Sequence, residues 1–311
     1  MNRPRALRAG DRVAIVAPAS PFGRDEFDAG LDELRRLGFE PVYDDRVFAR
    51  TGYVAGTAVD RAAALMEAFT RPDIAGVLCA RGGYGSAQVL PWLDAGAIAR
   101  AGKPFVGYSD ITTLLAFVTG RAGLVAFHGP MLAGRLGRGP AGYDRDTFWR
   151  ALTEDAPLGE VGAGRLAVLQ PGTARGPLLG GTLTQVVASL GTPWAFDPPP
   201  GHILFVEEVN ERPYRIDRML TQWRQAGLLA RASGIVFGEL PGCDEPGGSP
   251  TAHDAIAAAL AGFPGPVVVG LPSGHVRGAA ITLPLGVRAH LAAEPDAARL
   301  TIEEAAVRSE L

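Results

Sequence analysis

Short apolar runs alternate with segments of helical period through the first half of the chain, and that alternation restricts the fold more than any other feature. Residues 13–18, Val-Ala-Ile-Val-Ala-Pro, form a continuous apolar run bounded by charge and proline, the pattern of a strand buried on both faces. Phe27, Leu31, Leu34 and Leu37 then recur at helical spacing up to Gly38. Pro41-Val42-Tyr43 supplies a second strand, and residues 57–60 resemble a capping box, with Asp60 where Glu is usual, opening a helix that carries Leu65, Met66 and Phe69. Residues 74–80, 103–108 and 124–127 add three further strands. The expected fold class is therefore α/β: residues 1–134 form an N-terminal doubly wound, mostly parallel sheet with flanking helices, and such sheets hold their ligands beyond the carboxyl ends of the strands.

The second half reads differently. Residues 135–179 are rich in Gly, Pro and Arg and are expected to connect two domains. Residues 180–191 read as a helix entered from a glycine turn and stopped at Gly191. A strand over 203–208 ends abruptly in Glu207-Glu208; successive strand side chains point to opposite faces, so at most one of these acids looks into a given cleft. A helix over 214–223, a strand over 234–238 and an Ala-rich helix over 253–260 follow, then a strand over 266–271 that terminates in Pro272-Ser273-Gly274-His275. Residues 280–291 look like two strands about Leu285-Gly286, with 299–302 able to pair beside them. Residues 180–311 are expected to form a smaller C-terminal α/β domain with a mixed, partly antiparallel sheet.

Composition removes several function classes. Thirty bases against thirty-three acids, a net charge of −3, give no polyanion-binding surface, so nucleic acid is not an expected partner. Two cysteines, Cys79 and Cys243, build neither a disulfide framework nor a zinc site, and no metal or cofactor is expected. The basic segment at residues 1–8 is followed by Gly10-Asp11-Arg12 and not by the apolar core of a secretion signal, and no apolar run reaches the roughly 18 residues of a membrane span. A cytoplasmic location without membrane attachment is the default expectation.

Two strand ends in the first half carry candidate chemistry. The strand over 103–108 runs straight into Ser109-Asp110 and a helical stretch, a corner that either caps the helix with Ser109 or presents its hydroxyl as a nucleophile above the first-turn N–H groups. The strand over 74–80 ends in Arg81-Gly82-Gly83-Tyr84-Gly85, a loop whose bare backbone suits close approach to a ligand and whose glycines equally suit an unusual turn; it lacks the Gly-Lys-Ser/Thr of a P-loop. A serine needs a base, and the base an acid to orient it. Of five histidines, His253 and His290 fit a surface helix and a tail strand, and His202 opens its strand at the end opposite Glu207. His128, in the same domain as Ser109, and His275, in the same domain as Glu207, remain as rivals, with His275 preferred because one domain would then present an acid and base together.

These motifs, Arg81-Gly82-Gly83-Tyr84-Gly85, Gly107-Tyr108-Ser109-Asp110, His128-Gly129-Pro130-Met131, Gly191-Thr192-Pro193-Trp194, residues 207–215 and Gly274-His275, resemble in their order the LD-carboxypeptidases, serine peptidases that include the microcin C immunity hydrolases. The resemblance implies a Ser-Glu-His triad of Ser109, Glu207 and His275 working through an acyl-enzyme, with the backbone N–H groups of Asp110 and Gly83 as oxyanion hole and Arg81, Gly82 and Tyr84 at the substrate. Arg81 would meet a substrate carboxylate or form a salt bridge within its loop. The implied reaction releases terminal D-alanine from murein tetrapeptides in cell-wall recycling, and a homodimer is implied with it. The alternatives are cleavage of an aminoacyl nucleotide mimic, and a binding protein without catalysis.

Overall fold

The computed structural model describes residues 1–309. Along the first part of the chain run β1 (Arg12–Val16), α1 (Arg24–Arg36), β2 (Glu40–Val42), α2 (Ala58–Thr70), β3 (Gly76–Cys79), α3 (Ala95–Ala101), β4 (Phe105–Gly107), α4 (Thr112–Gly120), β5 (Ala126–His128) and α5 (Arg145–Thr153). There follow β6 (Pro157–Val161), β7 (Ala167–Gln170), β8 (Gly172–Thr182), α6 (Leu183–Ala188), β9 (His202–Glu207), α7 (Pro213–Gln225), β10 (Ala232–Gly238), α8 (Ala252–Ala259), β11 (Val267–Leu271), β12 (Leu283–Leu285), β13 (Arg288–Glu294) and β14 (Ala297–Ala305). The described chain divides into one unit of residues 1–156, 278–286 and 305–309 and a second of residues 157–277 and 287–304.

In the first unit the sheet order is β12-β5-β4-β3-β1-β2. All the neighbouring pairs from β2 to β5 are parallel, and β12 joins antiparallel with Leu283 opposite His128. The apolar runs that read as buried strands are buried: every residue of β3, β4 and β5 is inaccessible. Helix α1 turns Phe27, Leu31 and Leu34 inward, the face its periodicity dictates.

The second unit holds β6-β14-β13-β8-β9-β10-β11-β7. Its middle, β8-β9-β10-β11, is parallel throughout, while β13 lies antiparallel to both β8 and β14 and β7 antiparallel to β11. Three sequence expectations differ from this arrangement. Residues 135–179, expected as a connection, contain α5, β6, β7 and most of β8. Gly180-Gly181-Thr182 continues β8, so the helix begins only at Leu183; the glycines look like a turn in sequence but pair with Phe205 and Val206 of the neighbouring strand. The two strands about Leu285-Gly286 exist, but β12 joins the first sheet and β13 the second.

Among the described residues no helix is long and apolar enough to cross a membrane, and no group of three or more His, Cys, Asp or Glu is placed to hold a metal ion. One buried charge does anchor the first unit. Glu33 of α1 is 2% exposed and accepts from the Tyr143 hydroxyl at 2.7 Å, while Arg145 and Arg36 each reach it at 3.1 Å. Burial pushes its carboxyl up, but the Tyr143 hydroxyl and the two guanidiniums outweigh that and hold it below the ordinary glutamate value. A depressed carboxylate contributes stability above its unfolded pKa and loses it as the pH falls through the folded one. Tyr143→Phe is therefore expected to lower unfolding stability at pH 7 by about 1.5–3 kcal/mol; in denaturant titrations repeated at falling pH, the two proteins should converge below about pH 4.

Candidate active site

The first unit builds a strained serine corner. β4 ends at Gly107, Tyr108 is fully extended at φ −154°, and Ser109 then adopts φ +63° before a tight turn over Ser109–Ile111 leads into α4. A side chain at positive φ costs roughly 1–2 kcal/mol and persists only where its surroundings fix it. They do so here. Gly82 of the loop after β3 lies so near that a Cβ there would sit 3.0 Å from Ser109 Cβ and 3.3 Å from the Asp110 nitrogen, a tight contact that a side chain could make only by displacing the corner. Asp110 points away from the corner: its Oδ2 accepts from Ser86 N at 2.8 Å, and the Ser86 hydroxyl donates to its carbonyl at 2.6 Å. Burial raises the Asp110 carboxyl above the ordinary value, and the Ser86 donors and Arg61 oppose the shift.

The glycine loop is fixed from its other side. Ser20, just beyond β1, donates its N–H to Gly82 O and accepts Tyr84 N–H on Oγ, both at 3.0 Å. The buried Arg61 donates to the carbonyls of Pro18 and Gly85 and to Gln88. Gly83 and Tyr84 stay exposed, with the Tyr84 ring edge-on to Tyr53 at 5.2 Å between centroids. Arg81 is exposed and its guanidinium donates to the Pro21 carbonyl at 3.4 Å. His128, the rival base, is wholly buried at the end of β5, its ring 6.0 Å from that of Tyr108.

The second unit pairs an acid with a histidine. Glu207 is the last residue of β9 and is fully buried. Its Oε2 accepts from His275 Nδ1 at 2.8 Å and from the His275 backbone N–H at 2.8 Å, and its Oε1 accepts from the Thr182 hydroxyl. With Nδ1 donating, Nε2 of His275 is left as the basic nitrogen. Gly274 makes this contact possible: it has φ +83°, and a Cβ there would lie 2.6 Å from Glu207 Cδ. Glu208 turns the other way, as strand alternation requires, accepting from Thr184 N at 2.9 Å and Thr184 Oγ1 at 2.6 Å. Burial raises the Glu208 carboxyl and those donors oppose it. His202 lies buried at the start of the same strand, bound through Nδ1 to Pro199 O at 2.9 Å. Thr182, Ser20, Arg61 and Ser86 went unread in the sequence; each acts across a long sequence separation, and no local motif marks them.

A strained serine with backbone donors beside it, and separately an imidazole held by a buried carboxylate, are the parts of a serine hydrolase. Family models match the chain over residues 13–129, as an LD-carboxypeptidase N-terminal domain, and over 175–291, as an LD-carboxypeptidase C-terminal domain. The murein tetrapeptide carboxypeptidase of Pseudomonas aeruginosa is 36% identical over 277 residues, covering 85% of this chain and 88% of that protein. The microcin C7 self-immunity protein MccF of Escherichia coli is 28% identical, covering 96% of this chain and 94% of its own. The solved muramoyltetrapeptide carboxypeptidase from Oxalobacter formigenes superposes with a TM-score of 0.82 at 31% identity, covering 94% of this chain and 99% of that one. The chain belongs to the LD-carboxypeptidase family, and it is a serine-type LD-carboxypeptidase.

The Gly274 geometry is open to test. Gly274→Ala forces a methyl group against the Glu207 carboxylate, so kcat for the wild-type reaction should fall roughly 100-fold, the scale of an ångström-sized misplacement, while circular dichroism shows the fold intact. Unchanged kcat would show that the His275–Glu207 contact tolerates displacement.

Proposed function

We propose that this carboxypeptidase removes the terminal D-alanine of murein tetrapeptides through an acyl-enzyme on Ser109. The observation that carries the reading is the strained Ser109 corner, φ +63°, on a strand end roofed by the glycine loop. A serine held there at an energetic cost is accounted for by nucleophilic work and not by capping, since the N-cap positions of the short turn and of α4 are Tyr108 and Ile111 and not Ser109. In this reading His275 Nε2 takes the Ser109 proton as Oγ attacks the carbonyl before D-alanine, and Glu207 stabilises the imidazolium. The N–H groups of Gly83 and Asp110 hold the oxyanion; each such donor is worth about 2.7–4 kcal/mol in the transition state. His275 then protonates the leaving amine, D-alanine departs, and a water activated by the same imidazole releases the shortened peptide. Arg81 and Tyr84 bind substrate, with the Arg81 guanidinium for a carboxylate.

The murein substrate is supported by identities of 36% and 31% to proteins named for murein or muramoyl tetrapeptides, against 28% to the microcin immunity protein. Ser109→Ala is expected to lower D-alanine release from a murein tetrapeptide by on the order of 10⁴-fold or more, measured by amino-acid analysis. A wild type that binds the peptide and releases nothing, or that instead cleaves an aminoacyl sulfamoyl adenosine, overturns the reading.

A further inference from the structure

Thr182 closes β8 and occupies the N-cap position of α6. A threonine there ordinarily accepts a backbone N–H of the first turn on its hydroxyl. Thr182 makes no such bond. Its hydroxyl donates to Glu207 Oε1 instead, and a first-turn N–H of α6, that of Thr184, is taken by the neighbouring acid, Glu208 Oε2, at 2.9 Å. Strand register brings this about: Thr182 pairs with Glu207 in the parallel β8–β9 ladder, which sets their side chains on one face. Both are buried, Thr182 at 5% exposure and Glu207 at 0%.

We infer that Thr182 is a positioning residue for the general base: its hydroxyl occupies Glu207 Oε1 so that Oε2 alone faces His275, which fixes the rotation of the carboxylate and with it the orientation of the imidazole. The inference rests on the proposed roles of Glu207 and His275. A buried carboxylate that loses a donor turns toward other donors or takes up a proton more readily. Thr184 and Glu208 make the arrangement possible, because the helix end is capped without Thr182. The hydroxyl is thereby released for the acid.

The test compares Thr182→Val, which keeps the shape and removes the hydroxyl, with Thr182→Ser, which keeps the hydroxyl. For Thr182→Val, kcat for D-alanine release should fall roughly 10- to 100-fold, the loss of one hydrogen bond to a charged group, with KM within twofold of wild type. The acid limb of its pH–rate profile should move to higher pH, because the carboxylate protonates more readily without its donor. Thr182→Ser should restore kcat to within threefold. A second readout needs no substrate: the downfield proton resonance of the imidazole hydrogen bonded to Glu207 should be present in wild type and Thr182→Ser and shifted or lost in Thr182→Val. If Thr182→Val does not fold, Thr182→Ala takes its place. An unmoved acid limb and an unchanged proton resonance in a folded variant overturn the inference. Should the wild type release no D-alanine, the murein reading fails alone and the proton resonance still decides the role of Thr182.

Discussion

The second unit is arranged around the cost of burying the Glu207 carboxylate. An ionised carboxylate taken wholly out of water loses several kcal/mol of hydration even after relaxation, and only well-placed donors offset that. Among them are the His275 side chain and backbone on Oε2 and Thr182 on Oε1. Each donor imposes a constraint elsewhere. The two from His275 require a chain that passes within contact of the carboxylate, hence a residue without Cβ at 274. The one from Thr182 requires β8 to run parallel to β9 in the observed register. Removing any one leaves the others holding a partly uncompensated charge, so their effects on the site are expected to be non-additive.

In the first unit the corresponding constraint is backbone strain and not charge. Ser109 in the left-handed region is held there by the contacts of its neighbours. Its following residue, Asp110, is bound through both carboxylate and carbonyl to Ser86. Ser86 in turn follows Gly85, whose carbonyl is held by Arg61. Arg61 is a buried cation whose donors go to main-chain carbonyls and to the Gln88 amide oxygen, so it sets the path of the loop without neutralising an acid at contact distance. Burial lowers its pKa, and the charges of Asp110 and Tyr84 oppose that through space.

The residues of the candidate site were legible in the sequence where they sit at the ends of apolar strands. Ser109, the glycine loop, Glu207 and His275 all follow a recognisable buried run, and the sense of Glu207 against Glu208 follows from the two-residue period alone. What was illegible depended on pairing between distant segments. Gly180-Gly181 gave the appearance of a turn because glycine signals a turn equally with a close strand approach. Thr182 read as part of a helix start, and nothing local indicates that its hydroxyl is claimed by a residue 25 positions away. Residues 135–179 are poor in long apolar runs, since β6 and β7 lie at the two edges of their sheet and need only partial burial. The tail was divisible into strands, but that β12 and β13 join different sheets depends on tertiary packing.

Each unit, taken by itself, collects its polar chemistry at the carboxyl ends of parallel strands. In the first, Ser20 follows β1, the glycine loop follows β3 and Ser109 follows β4; in the second, Thr182 ends β8, Glu207 ends β9 and His275 follows β11. A cavity of about 720 Å³ in the first unit, lined by Arg5, Arg12, Asp73, Arg100 and Lys103, lies at the other edge, where those strands begin. A cavity of that volume could admit a ligand, but its chemistry does not favour it as the site. Its charges are largely spent on one another, Arg5 on Asp11 and both Arg12 and Arg71 on Asp73, while the buried Lys103 amine donates to the carbonyls of Ala68 and Arg71 at the end of α2. At the carboxyl ends, by contrast, a left-handed serine and a buried carboxylate–imidazole pair are held at a cost that folding alone does not require. Sustained strain and sustained burial of charge are a better guide to a candidate site than the size of an opening.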